Sequence, residues 1–389
     1  MRISGLRNRI TGKASIAVGA AICCSGALLL SGCGKFFPPL TSGGGGGGGG
    51  SSSGDYLYIG NQGTNPLTVA GFSLASSGLS SISGSAWQVT LQPTALAVTT
   101  DNAFLYVGSA AGGIYVYTIG SNGSISLGNS GAPVATGVEP SVLRVDKTGK
   151  WLIGADAFAG EAYVFQIGSG GLLTSISSSF VTLNTSTPST DLEIAPSDSL
   201  VFVSCGTAGI YTLSFNSSNG ALSQVNGVLS PKQSADADYG MAITPSGSYL
   251  MVAETGIGAV RVLSVSSGGG LSEISGSPFK TATGAYAVLV DSSGKYAYVA
   301  NRSNGNISAF SIGTTGALTA ITGSPFSTGS SPSQMVEDKT DTYLAVVNAG
   351  GNPDLQVFTI SSSTGALTSF KTASTGTSPA NATTLAATH

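Results

Sequence analysis

The residues best suited to chemistry are carboxylates that cluster in one short part of the chain. Asp236 and Asp238 flank a single alanine, and Glu254 stands at the end of the next apolar run. Their oxygens are ligands that a hard cation such as Ca²⁺ prefers. The segment lacks the regular spacing of a calcium-binding loop, and charges collect in loops for solubility alone. The sequence therefore predicts an anionic contact surface here, with no metal centre and no cofactor.

Histidine and cysteine, which supply most nucleophilic and metal-binding groups, are scarce. The only histidine is the final residue, His389, and Cys205 is the only cysteine outside the N-terminal segment. One cysteine forms neither an internal disulfide nor a zinc site. There is also no Gly-x-Ser-x-Gly turn in a strand-to-helix context and no phosphate-binding Gly-Lys-Ser loop. These absences argue against serine-hydrolase, zinc and nucleotide chemistry.

The carboxylates must be positioned by a repeated structural unit. Short apolar strand cores recur about every 48 residues, at 57–59, 105–107, 151–153, 201–203, 250–252, 297–299 and 344–346. A period of 40 to 50 residues with several short strands per unit is typical of a β-propeller. Each repeat contains four apolar runs, which we label a to d from the centre outward.

The two chain ends indicate how such a ring closes. The first ordered strand, 56–60, has the pattern of a b strand, whereas the last apolar segment, 382–387, has the pattern of an a strand. The sequence therefore predicts an all-β fold over residues 55–389. It is a seven-bladed β-propeller of four-stranded blades, in which the C-terminal strand completes the first blade and removes two exposed sheet edges.

In a propeller of this kind the d-to-a and b-to-c loops share one face, which we call the loop face. The loop face carries most of the acidic loop residues, and Tyr239 and Tyr286 stand at the entrances of inner strands, where they line the central mouth or pack at the blade rim. We expect ligand contact with a cation, a sugar or a basic peptide. The predicted ligand-binding residues are Glu139, Asp191, Asp236, Asp238, Tyr239 and Tyr286.

Charge and the N-terminal segment bear on location and partners. After the first 32 residues the chain has 11 basic and 18 acidic residues, which argues against a nucleic-acid partner.

Residues 2–13 are basic, 14–30 are apolar, and Leu-Ser-Gly-Cys at 30–33 resembles a bacterial lipobox. We expect a signal peptide over 1–32, lipid on Cys33 and a flexible Gly/Ser tether over 33–54. A plain membrane anchor is the alternative. The expected location is the outer membrane or another exported membrane face.

The repeats resemble the lactonase-type seven-bladed propellers, which include 6-phosphogluconolactonase and carboxymuconate cyclase, and the related surface propellers named for a Tyr-Val-Thr-Asn tetrad. Residues 298–301, Tyr-Val-Ala-Asn, are the nearest match to that tetrad. The resemblance implies His, Glu and Arg side chains around a cleft on the loop face. Arg302 fits the family's Asn-Arg dipeptide motif, and Asp156 fits its Ala-Asp motif. At the position of the family's glutamate this chain has Thr255, and Glu254 lies one residue before it. The family's histidines are missing.

Two functions follow from these observations. The first is a cell-envelope lipoprotein whose propeller binds an envelope protein or a carbohydrate through its acidic loop face. The alternative is a lactonase-like hydrolase with a histidine-free site built from Arg302, Glu254 and Asp156. Opening a lactone needs water activated by a base. A carboxylate replaces histidine in that role only if burial raises its pKa.

Overall fold

The computed structural model describes residues 54–63, 65–110, 112–183, 186–233, 236–376 and 381–389. The predicted signal peptide, Cys33 and all but the end of the tether lie outside these ranges. The described residues form seven antiparallel sheets of four main strands each. No helix within the described ranges is both long and apolar enough to span a membrane.

The strands follow the chain blade by blade. The first three blades contain β1 (Tyr56–Asn61), β2 (Thr68–Ala75), β3 (Gly78–Ser81) and β4 (Trp87–Gln88); then β5 (Pro93–Val98), β6 (Phe104–Ser109), β7 (Gly113–Ile119), β8 (Ile125–Leu127) and β9 (Ala135–Thr136); then β10 (Pro140–Val145), β11 (Trp151–Asp156), β12 (Glu161–Ile167) and β13 (Leu173–Thr182). Two short 3₁₀ turns occur among the described residues, at Asn129–Gly131 and Ser169–Gly171.

The fourth to seventh blades continue the same pattern. They contain β14 (Asp191–Ile194), β15 (Leu200–Ser204), β16 (Ile210–Asn216) and β17 (Ala221–Gln224); β18 (Asp238–Ile243), β19 (Tyr249–Glu254), β20 (Ala259–Val265), β21 (Leu271–Glu273) and β22 (Phe279–Lys280); β23 (Ala285–Val290), β24 (Tyr296–Asn301), β25 (Asn306–Ile312), β26 (Leu318–Ala320) and β27 (Phe326–Ser327); and β28 (Ser330–Glu337), β29 (Tyr343–Gly351), β30 (Leu355–Ile360) and β31 (Leu367–Ala373).

The last strand, β32 (Ala382–Ala387), belongs to the first blade. It pairs antiparallel with β1, with Leu57 opposite Ala387 and Ile59 opposite Leu385. The sheet order is β3-β2-β1-β32, so the C-terminal strand is the innermost strand of the blade that begins the chain. The predicted fold, blade number and closure are therefore confirmed.

Tyrosines of the b strands join neighbouring blades. Tyr58, Tyr106 and Tyr298 are fully buried between blades, as their strand positions predict. Each hydroxyl donates a hydrogen bond to a backbone carbonyl in the c-to-d turn of the following blade: Gly123 at 2.8 Å, Gly171 at 2.9 Å and Gly365 at 2.9 Å. The apolar ring fills the interface and the hydroxyl is satisfied, which fixes each blade against the next and holds the inner strands around the centre.

Candidate active site

The inner strands of the blades surround a central cavity of about 650 Å³. That volume lies within the range of small-molecule sites. Its wall combines apolar and polar residues, and three threonine hydroxyls of wall residues, on Thr94, Thr383 and Thr384, are buried and bond to no described protein atom. Buried hydroxyls without partners are uncommon; that of Thr384 lies against Gly60 of the neighbouring strand rather than towards the cavity. The charged side chains of the wall are those of Arg144, Asp191, Glu193, Arg302 and Glu337, and the C-terminal residue His389 also lines the cavity.

Arg144 and Glu193 occupy the same position in adjacent blades. Arg144 lies opposite Ile153 of its b strand, and Glu193 lies opposite Phe202. The equivalent residues of the other inner strands carry no charge: Ala97, Ala242, Leu289, Val336 and Ala386. Two opposite charges therefore stand side by side in an otherwise apolar ring of the cavity wall.

Asp191 completes this charged group from one end of β14. The Arg144 Nη2 atom lies 3.0 Å from Asp191 Oδ1 and 3.4 Å from Glu193 Oε1. Asp191 Oδ2 accepts a hydrogen bond of 2.8 Å from the backbone N–H of Met241, and Oδ1 accepts another from Leu192. Asp191 is therefore fixed by backbone donors, and it holds the arginine beside Glu193.

The environment of Glu193 makes it a weak acid. Burial raises the pKa of Glu193 to about 7, and the charge of Asp191 adds to this, although Arg144 acts in the opposite direction. Its side chain is still 22 % exposed, so water reaches it. A carboxylate with a pKa near neutrality is suited to accept a proton from water. Glu193 was not singled out from the sequence.

Two tyrosines and Arg302 lie on the cavity wall at its loop-face end. The rings of Tyr239 and Tyr286 are 4.9 Å apart, and the guanidinium carbon of Arg302 lies 4.6 Å from the Tyr286 ring centroid. Gly240 permits this approach, because a Cβ there would lie 2.6 Å from the Tyr286 carbonyl oxygen and the Ala287 Cα. Burial raises the pKa of Tyr286 despite the opposing charge of Arg302, so the phenol remains a hydrogen-bond donor.

The structure does not bring the three sequence-predicted catalytic residues together. Arg302 lines the central cavity, but Asp156 and Glu254 are buried and neither lines it. Asp156 organises a loop: Oδ2 accepts the backbone N–H of Glu139 at 2.6 Å, and Oδ1 accepts those of Phe158 and Ala159 at 2.7 Å. Both carboxylate oxygens of Asp156 accept hydrogen bonds from backbone N–H groups, so Asp156 has a positioning role.

Glu254 belongs to a separate buried group with Asp236 and Asp238. Glu254 Oε1 lies 3.4 Å from Arg261 Nη1, and Asp236 Oδ1 accepts the backbone N–H of Gly256 at 2.7 Å. Both carboxylate oxygens of Asp238 are buried without a hydrogen-bond partner among the described residues. No set of three or more His, Cys, Asp or Glu in the described chain is arranged to hold a metal ion.

Comparison with known proteins agrees with the fold. A family model described as "Lactonase, 7-bladed beta-propeller" matches residues 57–383. The chain belongs to this lactonase propeller family. The resemblance seen in the repeats is therefore confirmed. No curated protein matches the chain.

Solved structures that resemble this chain share its architecture at low sequence identity. A protein named as a 6-phosphogluconolactonase from Bacteroides fragilis is 19% identical over 87% of this chain and 99% of its own, with a TM-score of 0.70. The periplasmic gluconolactonase of Pseudomonas aeruginosa is 15% identical over 87% and 99%, with a TM-score of 0.71. A further protein named as a 6-phosphogluconolactonase, from Bacteroides uniformis, gives 16%, 86% and 100%, with a TM-score of 0.73. These likenesses show the fold.

The buried acids of this lactonase-family propeller predict a stability that falls as pH rises. Burial raises the pKa of Asp238 from 3.8 to about 7 and that of Glu254 from 4.5 to about 8. The folded state then binds more protons than the unfolded chain between these values, so the stabilisation is complete below pH 4 and lost as pH rises through 7 to 8. We expect the Tm at pH 5.5 to exceed that at pH 8.5 by at least about 3 °C.

The measurement is calorimetry across this pH range, on the wild type and on the double variant Asp238→Asn, Glu254→Gln. The variant removes these two titrating groups while keeping their shape. Its Tm should therefore fall less with pH than that of the wild type, by the share that Asp238 and Glu254 contribute beside Asp55, Glu193 and Glu337, whose pKa values burial also raises to about 7. A wild-type Tm that is constant or that rises towards pH 8.5 would contradict the prediction.

Proposed function

We propose that the chain is a lactonase-type hydrolase that opens a cyclic ester inside the central cavity. Membership of the lactonase family supports this reaction class. The observation that carries the proposal is Glu193, a carboxylate on the cavity wall whose pKa burial raises to about 7. It supplies the base that the missing histidines leave unfilled.

Glu193 and Arg302 have complementary tasks in the proposed reaction. Glu193 accepts a proton from a water molecule as the water oxygen attacks the lactone carbonyl carbon. Arg302, which makes no ion pair with a described carboxylate, and the Tyr286 hydroxyl stabilise the oxyanion that forms. The bond between the carbonyl carbon and the ring oxygen then breaks, and Glu193 returns its proton to the leaving alkoxide. The product is a hydroxy carboxylic acid.

Arg144 and Asp191 act on Glu193 without touching the substrate in this scheme. The Arg144 guanidinium stabilises the ionised form of Glu193, and Asp191 holds Arg144 in place through a 3.0 Å ion pair. This balance keeps the pKa of Glu193 near neutrality rather than higher. The Asp191 carboxylate, occupied by Arg144, Met241 and Leu192, is unsuited to serve as the base itself.

The setting we propose is outside the cytoplasm. The lipobox-like Leu-Ser-Gly-Cys and the glycine tether support export, lipid attachment at Cys33 and a membrane partner. A scaffold that binds an envelope protein or carbohydrate through an acidic loop face is less well supported, because Asp236, Asp238 and Glu254 are buried. Their charges are therefore not available on the surface for such a partner.

Lactone hydrolysis by the purified protein tests the proposal. We expect glucono-δ-lactone or a related neutral δ-lactone to be opened faster than its uncatalysed rate, with proton release as the readout. Arg302→Ala should lower kcat/KM by about 100-fold, since it removes the oxyanion partner. Lys280→Ala is the matched control, because Lys280 is an exposed cation of the loop face outside the cavity. No hydrolysis by the wild type across a lactone panel would refute the proposal.

A further inference from the structure

A second cavity of about 330 Å³, which we call the side groove, opens beside the central cavity on the loop face. The two spaces share five wall residues: Thr94, Ser141, Thr190, Tyr239 and Tyr286. The two tyrosines therefore border both spaces, and a molecule bound against them in the central cavity lies next to the side groove. Of its wall residues, the proposed reaction uses only Tyr286.

The outer wall of the side groove is apolar. It is formed by Ala110, Pro140, Ala157, Phe158 and Pro188. Phe158 is 75% exposed, the largest value among the large hydrophobic residues described. An aromatic ring left in water at the edge of a concave apolar wall gains free energy when an apolar group covers it.

The loop that carries Phe158 is held in place by the buried carboxylate of Asp156. The backbone N–H groups of Phe158 and Ala159 both donate to Asp156 Oδ1 at 2.7 Å, and Glu139 N–H donates to Oδ2 across the groove. Charge-assisted bonds to backbone donors are strong. Phe158 is therefore presented by a fixed loop, and the Asp156 side chain joins the two sides of the groove.

The charges of the groove exclude an anionic occupant. Glu139 lines it, and within the described residues no Lys or Arg does. In the central cavity Arg144 is already paired with Asp191 and Glu193, so Arg302 alone is left to meet an anion. A phosphate group needs several charged or N–H donors around it. The arrangement suits an uncharged substituent.

We propose that the side groove binds an apolar alkyl or aryl substituent of the lactone, whose ring lies in the central cavity against Tyr239 and Tyr286. The inference rests on the proposed hydrolase function and narrows its substrate class to neutral lactones with an apolar substituent. Phe158 is then a specificity-determining residue that covers the substituent, and Asp156 is the residue that positions Phe158.

A series of δ-lactones with 5-alkyl chains of one, three, five and seven carbons tests this substrate class, alongside glucono-δ-lactone and its 6-phosphate. We expect kcat/KM to rise by about twofold to fourfold per added methylene until the groove is full. Phe158→Ala should lower the value for the heptyl lactone at least tenfold and that for the methyl lactone less than twofold. Phe158→Leu keeps an apolar side chain and should retain most of the chain-length dependence.

A binding measurement separates this inference from the hydrolase proposal. The matching 5-alkyl lactams resist hydrolysis, and calorimetric titration should show tighter binding with longer chains and a loss in Phe158→Ala. Leu172→Ala, at an exposed leucine outside the groove, should change neither series. Lactams that bind in this way without any lactone opening would support the groove and refute the hydrolase. Lactones opened without chain-length dependence, or with the 6-phosphate preferred, would overturn the groove assignment alone.

Discussion

A chain that ends at Ser378 is expected to lose the cooperative unfolding transition of the propeller. The truncation removes β32, whose Ala382 and Leu385 are buried in the core between the first and seventh blades. It also leaves one edge of β1 without a partner strand over Leu57–Asn61, whereas the other edge stays paired with β2. Losing this inner strand exposes the inner edge of β1 and removes the strand that closes the ring.

Side-chain bonds from two other blades add to the effect of this truncation. Ser333 Oγ donates to the Ala382 carbonyl at 3.0 Å, and the Leu385 N–H donates to Gln334 Oε1 at 2.8 Å. At the chain end, the His389 N–H donates to Asn102 Oδ1 at 2.8 Å. The last residues therefore connect the seventh, first and second blades, and their loss affects the whole ring.

Thermal unfolding followed by circular dichroism measures the result. We expect the truncated chain to show a Tm at least about 15 °C lower or no cooperative transition, whereas a chain lacking only His389 should unfold close to the wild type. A synthetic peptide of residues 379–389, added in trans, should restore part of the transition by pairing with β1. A truncated chain with wild-type stability would contradict the role assigned to β32.

The fold could be predicted from the sequence because its determinants are local and repeated. The predicted segment 382–387 is β32, and the predicted 56–60 is extended by one residue in β1. Each strand core reappears in every blade, so an error in one repeat is corrected by the others. Because the chain begins with a b strand and ends with an a strand, the sequence was sufficient to predict how the ring closes.

The residues of the candidate active site were harder to predict from the sequence, because a carboxylate that caps backbone N–H groups and a catalytic carboxylate look alike in a sequence. Asp156 and Glu254 both end b strands, where a short acidic side chain readily captures backbone N–H groups or a buried arginine. Arg144 and Glu193 are hidden inside inner strands. They could have been found by aligning the seven inner strands according to the b-strand residues that they pair with. At the equivalent position of each strand, only Arg144 and Glu193 are charged.

Replacing Glu193 by Gln is expected to lower kcat/KM for lactone opening by about 1,000-fold, because general bases contribute on the order of 10²–10⁴. The base works only when deprotonated. The wild-type kcat/KM should therefore rise tenfold per pH unit up to about pH 7, the pKa to which burial raises Glu193, and level off above it. In Glu193→Gln this rise of kcat/KM with pH, the acidic limb of the pH profile, should disappear. Stopped-flow proton release across pH 5 to 9 measures both the loss of rate and the loss of the acidic limb.

Two further variants decide whether Glu193 alone carries that limb. Burial raises the pKa of Glu337 to about 7 as well, and Glu337 lines the same cavity, but its Oε2 accepts the backbone N–H of Ser292 in an a-to-b turn, away from the loop face. Glu337→Gln should keep both rate and limb. Arg144→Met removes the cation that lowers the pKa of Glu193, so its limb should move to higher pH. A limb that survives in Glu193→Gln and vanishes in Glu337→Gln would transfer the role of base to Glu337.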